Sequence, residues 1–359
     1  MRIAVLGGGN GACAAAADLT GLGHQVYLWR RDRRALEALQ ASRTLTLVDA
    51  AGRRDILLAG VCADIGDAVR GAELIVVPTP AFAQHDIALA LAPHLADGQV
   101  IFLPPGSFGS VVMLRALRRA GCAAQVSIAE TGTLPWLARK HGQAEVAITI
   151  RATRLPTGVY PARSAPRAFA VLRAAFPSVE PVEDALAAAL MNAGPIIHPP
   201  LILMNAGPLE HFEAWDIHNE GTQASIRRVT DALDQERIAV REALGYCGEH
   251  FPLSDHYHSD RWMYGDAHQR LVDSGDWRER IVLTEHRYMT EDVHFGLAFL
   301  VSVADWAGVA APLASGLLAM AASICGKDLR RGERTLGALG LAGLTRAQMA
   351  ALLEQGEAA

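Results

Sequence analysis

Over the first 155 residues, short runs of β-branched and aliphatic side chains recur at 3–6, 26–29, 74–77, 100–103, 126–129 and 146–150. Runs this short and this apolar are the pattern of strands buried on both faces. Between most of them lie alanine- and leucine-rich segments with helical spacing, at 11–22, 33–41, 83–91 and 110–120. The alternation predicts a mostly parallel sheet covered by helices on both faces. From about residue 181 strand-like runs nearly vanish and longer helical periods take over, at 222–244, 292–307 and 313–325. The pattern therefore predicts an α/β domain over 1–181 and an all-α domain over 182–359, approached through Pro156, Pro166 and Pro181.

Composition narrows the class of partner. A chain of 359 residues with 51% hydrophobic and 20% charged residues is long enough for two cores, and with 6% aromatics those cores are aliphatic. A net charge of -5 offers no basic field for a phosphate backbone, so small molecules are expected rather than nucleic acid. Cys13, Cys62, Cys122, Cys247 and Cys325 are widely scattered with no CxxC pair, which fits neither a disulfide framework nor a zinc site and suits a reducing cytoplasm. Glycines interrupt the apolar start, which argues against a signal peptide. Residues 306–325 lack charges for about a membrane span, but Gly308, Pro312 and Gly316 favour a buried helix pair broken at Pro312, so no membrane is expected.

The first run leads into Gly7-Gly8-Gly9-Asn10-Gly11-Ala12, a G-x-G-x-x-A turn between a buried strand and an alanine-rich helix. In that setting Gly7 permits the tight turn, Gly9 lets a pyrophosphate approach the backbone, and Ala12 lets helix and strand pack closely. The helix N-terminus, opening at Asn10 and Gly11, presents free amides to the phosphates. The first domain is thus of the Rossmann type and its cofactor a nicotinamide dinucleotide. Where an acid often holds the ribose hydroxyls, this chain has Arg30-Arg31-Asp32. Two guanidiniums there suit a 2′-phosphate and favour NADP(H), with NAD(H) left open. The alternative is a solvated basic loop with Asp32 capping the next helix. Later strand ends at Pro78-Thr79-Pro80 and Pro104-Pro105-Gly106 place Pro78 and Thr79 against the cofactor, and Pro105 and Gly106 near the nicotinamide. Plain turn chemistry is the alternative for both.

Two polar spots stand out in the helical half. One is Asn192-Ala193-Gly194-Pro195-Ile196-Ile197-His198-Pro199-Pro200, a histidine among apolar residues on backbone expected to be irregular. The other is Arg287-Tyr288-Met289-Thr290-Glu291-Asp292, just before an apolar helix. Taken singly, His198 reads as a core histidine and the acids as helix N-terminal charges. Together with the glycine turn and Glu130-Thr131-Gly132-Thr133-Leu134-Pro135, in this order, they resemble the opine dehydrogenases over nearly the whole chain, most closely the shorter bacterial members.

The resemblance implies an NAD(P)-dependent oxidoreductase that condenses the amino group of an amino acid with a 2-oxo acid, such as pyruvate or 2-oxoglutarate, and reduces the imine. It implies His198 as acid/base, Asp292 as its partner, and Arg287 as the residue that binds the 2-oxo acid carboxylate. Imidazole is suited to this proton transfer near neutral pH, and a guanidinium fork to a carboxylate. For the amino acid, Glu130 is a candidate for its ammonium group or a basic side chain, with a merely solvated carboxylate as the alternative. Tyr257 and Trp262, in an aromatic and polar stretch, are candidate pocket walls. His256 and His258 lack the spacing of a helical zinc pair, so no metal is expected.

Rival readings are a two-domain reductase of the 2-oxopantoate reductase or glycerol-3-phosphate dehydrogenase type, and a sensor that binds nicotinamide without catalysis. The reductases use a lysine of the second domain, whereas Lys140 and Lys327 lie in no comparable apolar helix. A sensor would not need the His198, Arg287 and Asp292 set. Apolar C-terminal helices suggest a homodimer.

Overall fold

Strand β1 (Arg2–Leu6), fully buried from Ile3 to Leu6, forms the middle of the main sheet in the computed structural model, which describes residues 1–258, 261–265, 273 and 280–357. The chain divides into two compact units, residues 1–189 with 351–359, and residues 190–350. In the first unit β1 is followed by α1 (Asn10–Gly21), β2 (Gln25–Trp29), α2 (Arg33–Ser42), β3 (Thr44–Asp49), β4 (Gly52–Leu57), β5 (Gly60–Cys62), α3 (Ile65–Val69) and β6 (Leu74–Val76). Then come α4 (Gln84–Leu91), β7 (Val100–Leu103), α5 (Gly109–Arg119), β8 (Ser127–Thr131), β9 (Trp136–His141), β10 (Glu145–Arg151), β11 (Leu155–Tyr160), α6 (Ala165–Ala175), β12 (Val179–Pro181) and α7 (Ala185–Ala189).

Eight strands form the main sheet in the order β12-β11-β8-β7-β6-β1-β2-β5, parallel throughout except where β11 meets β8. The order reverses between β1 and β6, the crevice where doubly wound sheets bind dinucleotides. A second sheet, β4-β3-β10-β9, was not expected, and it takes in the 146–150 run that the hydrophobic pattern had assigned with the others.

Helix α1 explains the arrangement. It packs on β1 and β2 on one side and on β3, β4, β9 and β10 on the other, so Ala14, Ala15, Ala16 and Ala17 have no exposed surface. A helix buried on all sides needs small residues all round, which is why its sequence shows no polar face. The one carboxylate it buries, Asp18, accepts from Trp136 Nε1 at 2.7 Å and from Arg151 Nε at 2.9 Å, fastening the second sheet to the helix.

The first unit extends to 189 rather than 181 because α7 packs on β11, where Gly158 admits the Asp184 carbonyl into space that a Cβ would fill. Residues 351–359 also cluster with it rather than with the helical part.

The second unit is helical: α8 (Gly194–Met204), α9 (Ala206–His211), α10 (Ala224–Ala243), α11 (Leu253–His258), α12 (Tyr288–Leu297), α13 (Ala298–Ala307) and α14 (Pro312–Cys325). Helix α15 (Arg346–Gln355) spans the division at residue 350. Gly308 ends α13 in the left-handed conformation and Pro312 opens α14, the expected break in the apolar 306–325 stretch. Two expectations fail locally. The backbone through Pro195, Pro199 and Pro200 is helical rather than irregular, although Pro199 and Pro200 each remove an amide from the ladder. And α12 starts at Tyr288 with π-type winding, so Asp292 lies inside it rather than at the start of a helix.

Candidate active site

In the first unit the glycine turn is set by Gly7, whose φ of 138° excludes a side chain and whose Cβ would meet Ala12 at 3.2 Å and Thr79 Cγ2 at 3.3 Å. Gly9 is the N-cap of helix α1 and offers no side-chain cap, and a Cβ on it would meet nothing within 4 Å. The first-turn amides thus open onto free space, the arrangement that receives a phosphate. Gly11 is needed for closeness, since its Cβ would lie 3.1 Å from both Pro78 and Leu134. Asn10 is held by its own side chain, which accepts from Lys140 N at 3.0 Å.

Arg30 ends β2 and turns back onto the loop, its Nε 2.6 Å from where a Cβ on Gly8 would lie. It is 9% exposed, and its Nε is buried with no acceptor, as is Thr79 Oγ1. Asp32 accepts from Ala35 N at 3.1 Å, capping α2, while keeping 3.7 Å from Arg30. Arg31 is exposed. Uncapped amides, space over Gly9 and two orphaned buried polar atoms are the donor set a dinucleotide would complete.

Glu130, packed against the loop after β7, has a different role from the one expected. Glu130 is fully buried, accepts from Phe108 N at 2.7 Å and Ser110 N at 3.3 Å, and makes a short bond to the Ser110 hydroxyl. Its charge therefore sits at the N-terminus of α5 and is not offered to an amino acid's ammonium group. Gly106 is buried against it, because a Cβ there would collide with the Glu130 side chain. Gln84 Nε2 donates to the Gly106 carbonyl at 3.0 Å, joining this loop to the one after β6, while Pro105 is half-buried beside it.

The second unit brings together residues that lie far apart in sequence. His198 on α8 and Asp292 on α12 meet through Nδ1 and Oδ2 at 2.8 Å, with the carboxylate buried and the imidazole 18% exposed. Two glycines allow this approach. A Cβ on Gly194 would strike Asp292 Oδ1, and one on Gly296 would strike Pro195, so α8 and α12 pack nearly backbone to backbone. His198 Nε2 makes no hydrogen bond among the described residues. Burial lowers the His198 pKa below the ordinary imidazole value, against the upward pull of Asp292, with Arg287 and His286 adding to the fall. Arg287 occupies the N-cap position of α12 without capping it through its side chain, the residue is exposed, and no hydrogen bond to its guanidinium occurs among the described residues.

Sequence reasoning missed Tyr288 and His218. The buried Tyr288 ring stacks on His198 at 3.7 Å and 10°, and its hydroxyl is 2.6 Å from His218 Nε2. His286 packs edge-on to the same ring at 4.4 Å. The neighbouring Arg287 was the only available signal for Tyr288, and nothing near His218 marks it. Trp262 is 1% exposed and donates to Phe251 O at 3.1 Å, the position of a core residue rather than a pocket wall. The side chain of Tyr257 lies outside the described residues, as does most of the histidine-rich stretch around it.

Residues 181–325 match the family model of the α-helical domain of NAD/NADP octopine/nopaline dehydrogenases, and residues 2–104 that of the NAD-dependent glycerol-3-phosphate dehydrogenase N-terminus. The chain is 29% identical to the opine dehydrogenase of Arthrobacter sp. (strain 1C) over 98% of both chains. Its fold resembles octopine dehydrogenase solved with NADH and agmatine, at TM-score 0.71 and 20% identity over 99% of this chain and 98% of that one. It also resembles yersinopine dehydrogenase with NADP+ bound, at TM-score 0.65 and 18% identity over 99% and 98%.

Proposed function

We propose, from the premise that this chain belongs to the opine dehydrogenase family of NAD(P)-dependent oxidoreductases, that it joins an L-amino acid to a 2-oxo acid such as pyruvate or 2-oxoglutarate and prefers NADPH. The observation that carries the reading is the His198–Asp292 pair, 2.8 Å apart in the unit that also holds Arg287. The glycine turn and Arg30 would hold the cofactor, which when bound supplies the hydride.

The amine nitrogen bonds to the keto carbon, giving a carbinolamine that must lose hydroxide as water. With Nδ1 engaged by Asp292, His198 has Nε2 available to deliver that proton. Asp292 fixes the tautomer and stabilises the imidazolium that burial disfavours. Arg287 binds the 2-oxo acid carboxylate, whose orientation presents the carbon to be reduced; positioning of this kind lowers barriers by up to about 7 kcal/mol. The product is an N-(1-carboxyalkyl)amino acid, with one water released.

The likeness to glycerol-3-phosphate dehydrogenases is confined to residues 2–104, in the cofactor half, whereas 181–325 carry the octopine/nopaline match. Five free thiols suit a reducing cytoplasm. The test follows NADPH oxidation with pyruvate or 2-oxoglutarate and a panel of amino acids, with mass spectrometry of the product and 2-oxopantoate and dihydroxyacetone phosphate as controls. Amine-dependent oxidation is expected. Its absence with every pair, or oxidation with a control alone, sinks the reading.

A further inference from the structure

Lys140, one of two lysines in the chain, lies on β9 of the unexpected second sheet, outside the parallel βαβ frame. Its backbone amide donates to Asn10 Oδ1 at 3.0 Å, which fixes the strand beside the start of α1. Its ammonium group donates to the Gly8 carbonyl at 3.2 Å. The Arg30 guanidinium lies against the same glycine, and its Nε is buried without an acceptor. Two cations therefore converge on one residue of the glycine turn. The thiol of Cys13, buried behind that turn, registers both: burial pushes its pKa up, and Lys140 and Arg30 each pull it down. Like charges gathered at a half-buried place favour an anion between them.

We propose that Lys140 is a second ligand for the 2′-phosphate of the cofactor, forming with Arg30 a clamp at Gly8 that discriminates NADPH from NADH. The inference rests on the NADPH preference put forward above. The pyrophosphate belongs at the amides beyond Gly9, whereas the end of β2, where Arg30 sits, is where the adenosine ribose is read. A lysine at Gly8 stands on the Arg30 side of that division. One ammonium hydrogen is given to the Gly8 carbonyl, which leaves two for phosphate oxygens.

The test is direct binding of NADPH and NADH to the full-length protein without substrates, followed by nicotinamide fluorescence, for the wild type, Lys140→Met, Lys140→Arg and Arg30→Ala. Lys140→Met should raise the Kd for NADPH about tenfold or more, the loss of a charge-assisted hydrogen bond, while the Kd for NADH changes less than about threefold. Lys140→Arg should retain most of the preference, and Arg30→Ala should reduce it as Lys140→Met does. Equal weakening of both cofactors by Lys140→Met, or no change in either, overturns the clamp. A wild type that binds NADH as tightly as NADPH overturns the preference itself. If the wild type prefers NADPH and Arg30→Ala reduces that preference but Lys140→Met does not, the NADPH reading stands and the lysine's part in it is refuted.

Discussion

Asp292 acts on His198 in two ways, by orienting the ring through a 2.8 Å bond and by supporting a charge that burial resists. Under the proposed mechanism, oxidation of an opine back to its parts requires neutral His198 as the base, so the rate should rise through a pKa below the ordinary 6.5. In Asp292→Asn the upward pull is lost, and that inflection should fall further while turnover drops about 100-fold or more. An inflection that stays in place or moves up would show that the carboxylate does not control the ring. Tyr288→Phe keeps the stacked ring and removes the hydroxyl's bond to His218. It should lower kcat several-fold, leave KM for the 2-oxo acid nearly unchanged, and leave cofactor binding intact; a KM effect alone would make Tyr288 a pocket wall. His198, Arg287 and Asp292 were singled out through the family resemblance, and the structure brings His198 and Asp292 into contact. Tyr288 was not singled out, because stacking across two helices leaves no spacing signature in either.

At the scale of elements, the crossing of α8 with α12 depends on residues that have no side chain. Gly194→Ala would drive a methyl into Asp292 Oδ1. The expected outcome is a stability loss of about 1–3 kcal/mol together with a turnover defect like that of Asp292→Asn. Full activity in Gly194→Ala would show that the pair tolerates displacement. The second sheet depends on charge instead. Arg54 grips Asp49 at 2.6 and 2.9 Å, and Arg151 bridges Asp49 to Asp18. The Arg54 bonds, joined by those from Arg151 and Ala51, hold the Asp49 pKa far below its ordinary 3.8 despite burial. A depressed carboxyl pKa stabilises the fold above the unfolded value and loses that contribution as pH falls through the folded one. Asp49→Asn should therefore cost about 1.5–3 kcal/mol at pH 7, with the gap from wild type closing below about pH 4. A gap independent of pH would assign the effect to packing. Besides β10, none of the second sheet's other three strands was read from the chain, since β3, β4 and β9 are half-exposed and carry charges where the central strands are wholly apolar.

For the whole molecule, the homodimer we propose draws on α14, where Met320 and Ile324 lie one turn apart with 50% and 38% exposure. Light scattering should return twice the 38.3 kDa chain mass, and Met320→Glu with Ile324→Glu should return a single chain; a monomeric wild type refutes the proposal. Hydrophobic period and glycine position determined from the sequence alone that a parallel sheet holds a dinucleotide turn at Gly7 and that a helical half follows, because buried strands and tight turns restrict residue type locally. The glycine turn made the cofactor class legible for the same reason, whereas the His198, Arg287 and Asp292 set was legible only through its resemblance to the opine dehydrogenases. Tertiary structure alone decided that Glu130 braces α5, that Trp262 belongs to the core, that α1 lies between two sheets and that Lys140 reaches Gly8. Those facts depend on which distant segments pack together, and a residue's own neighbours in sequence carry no record of that.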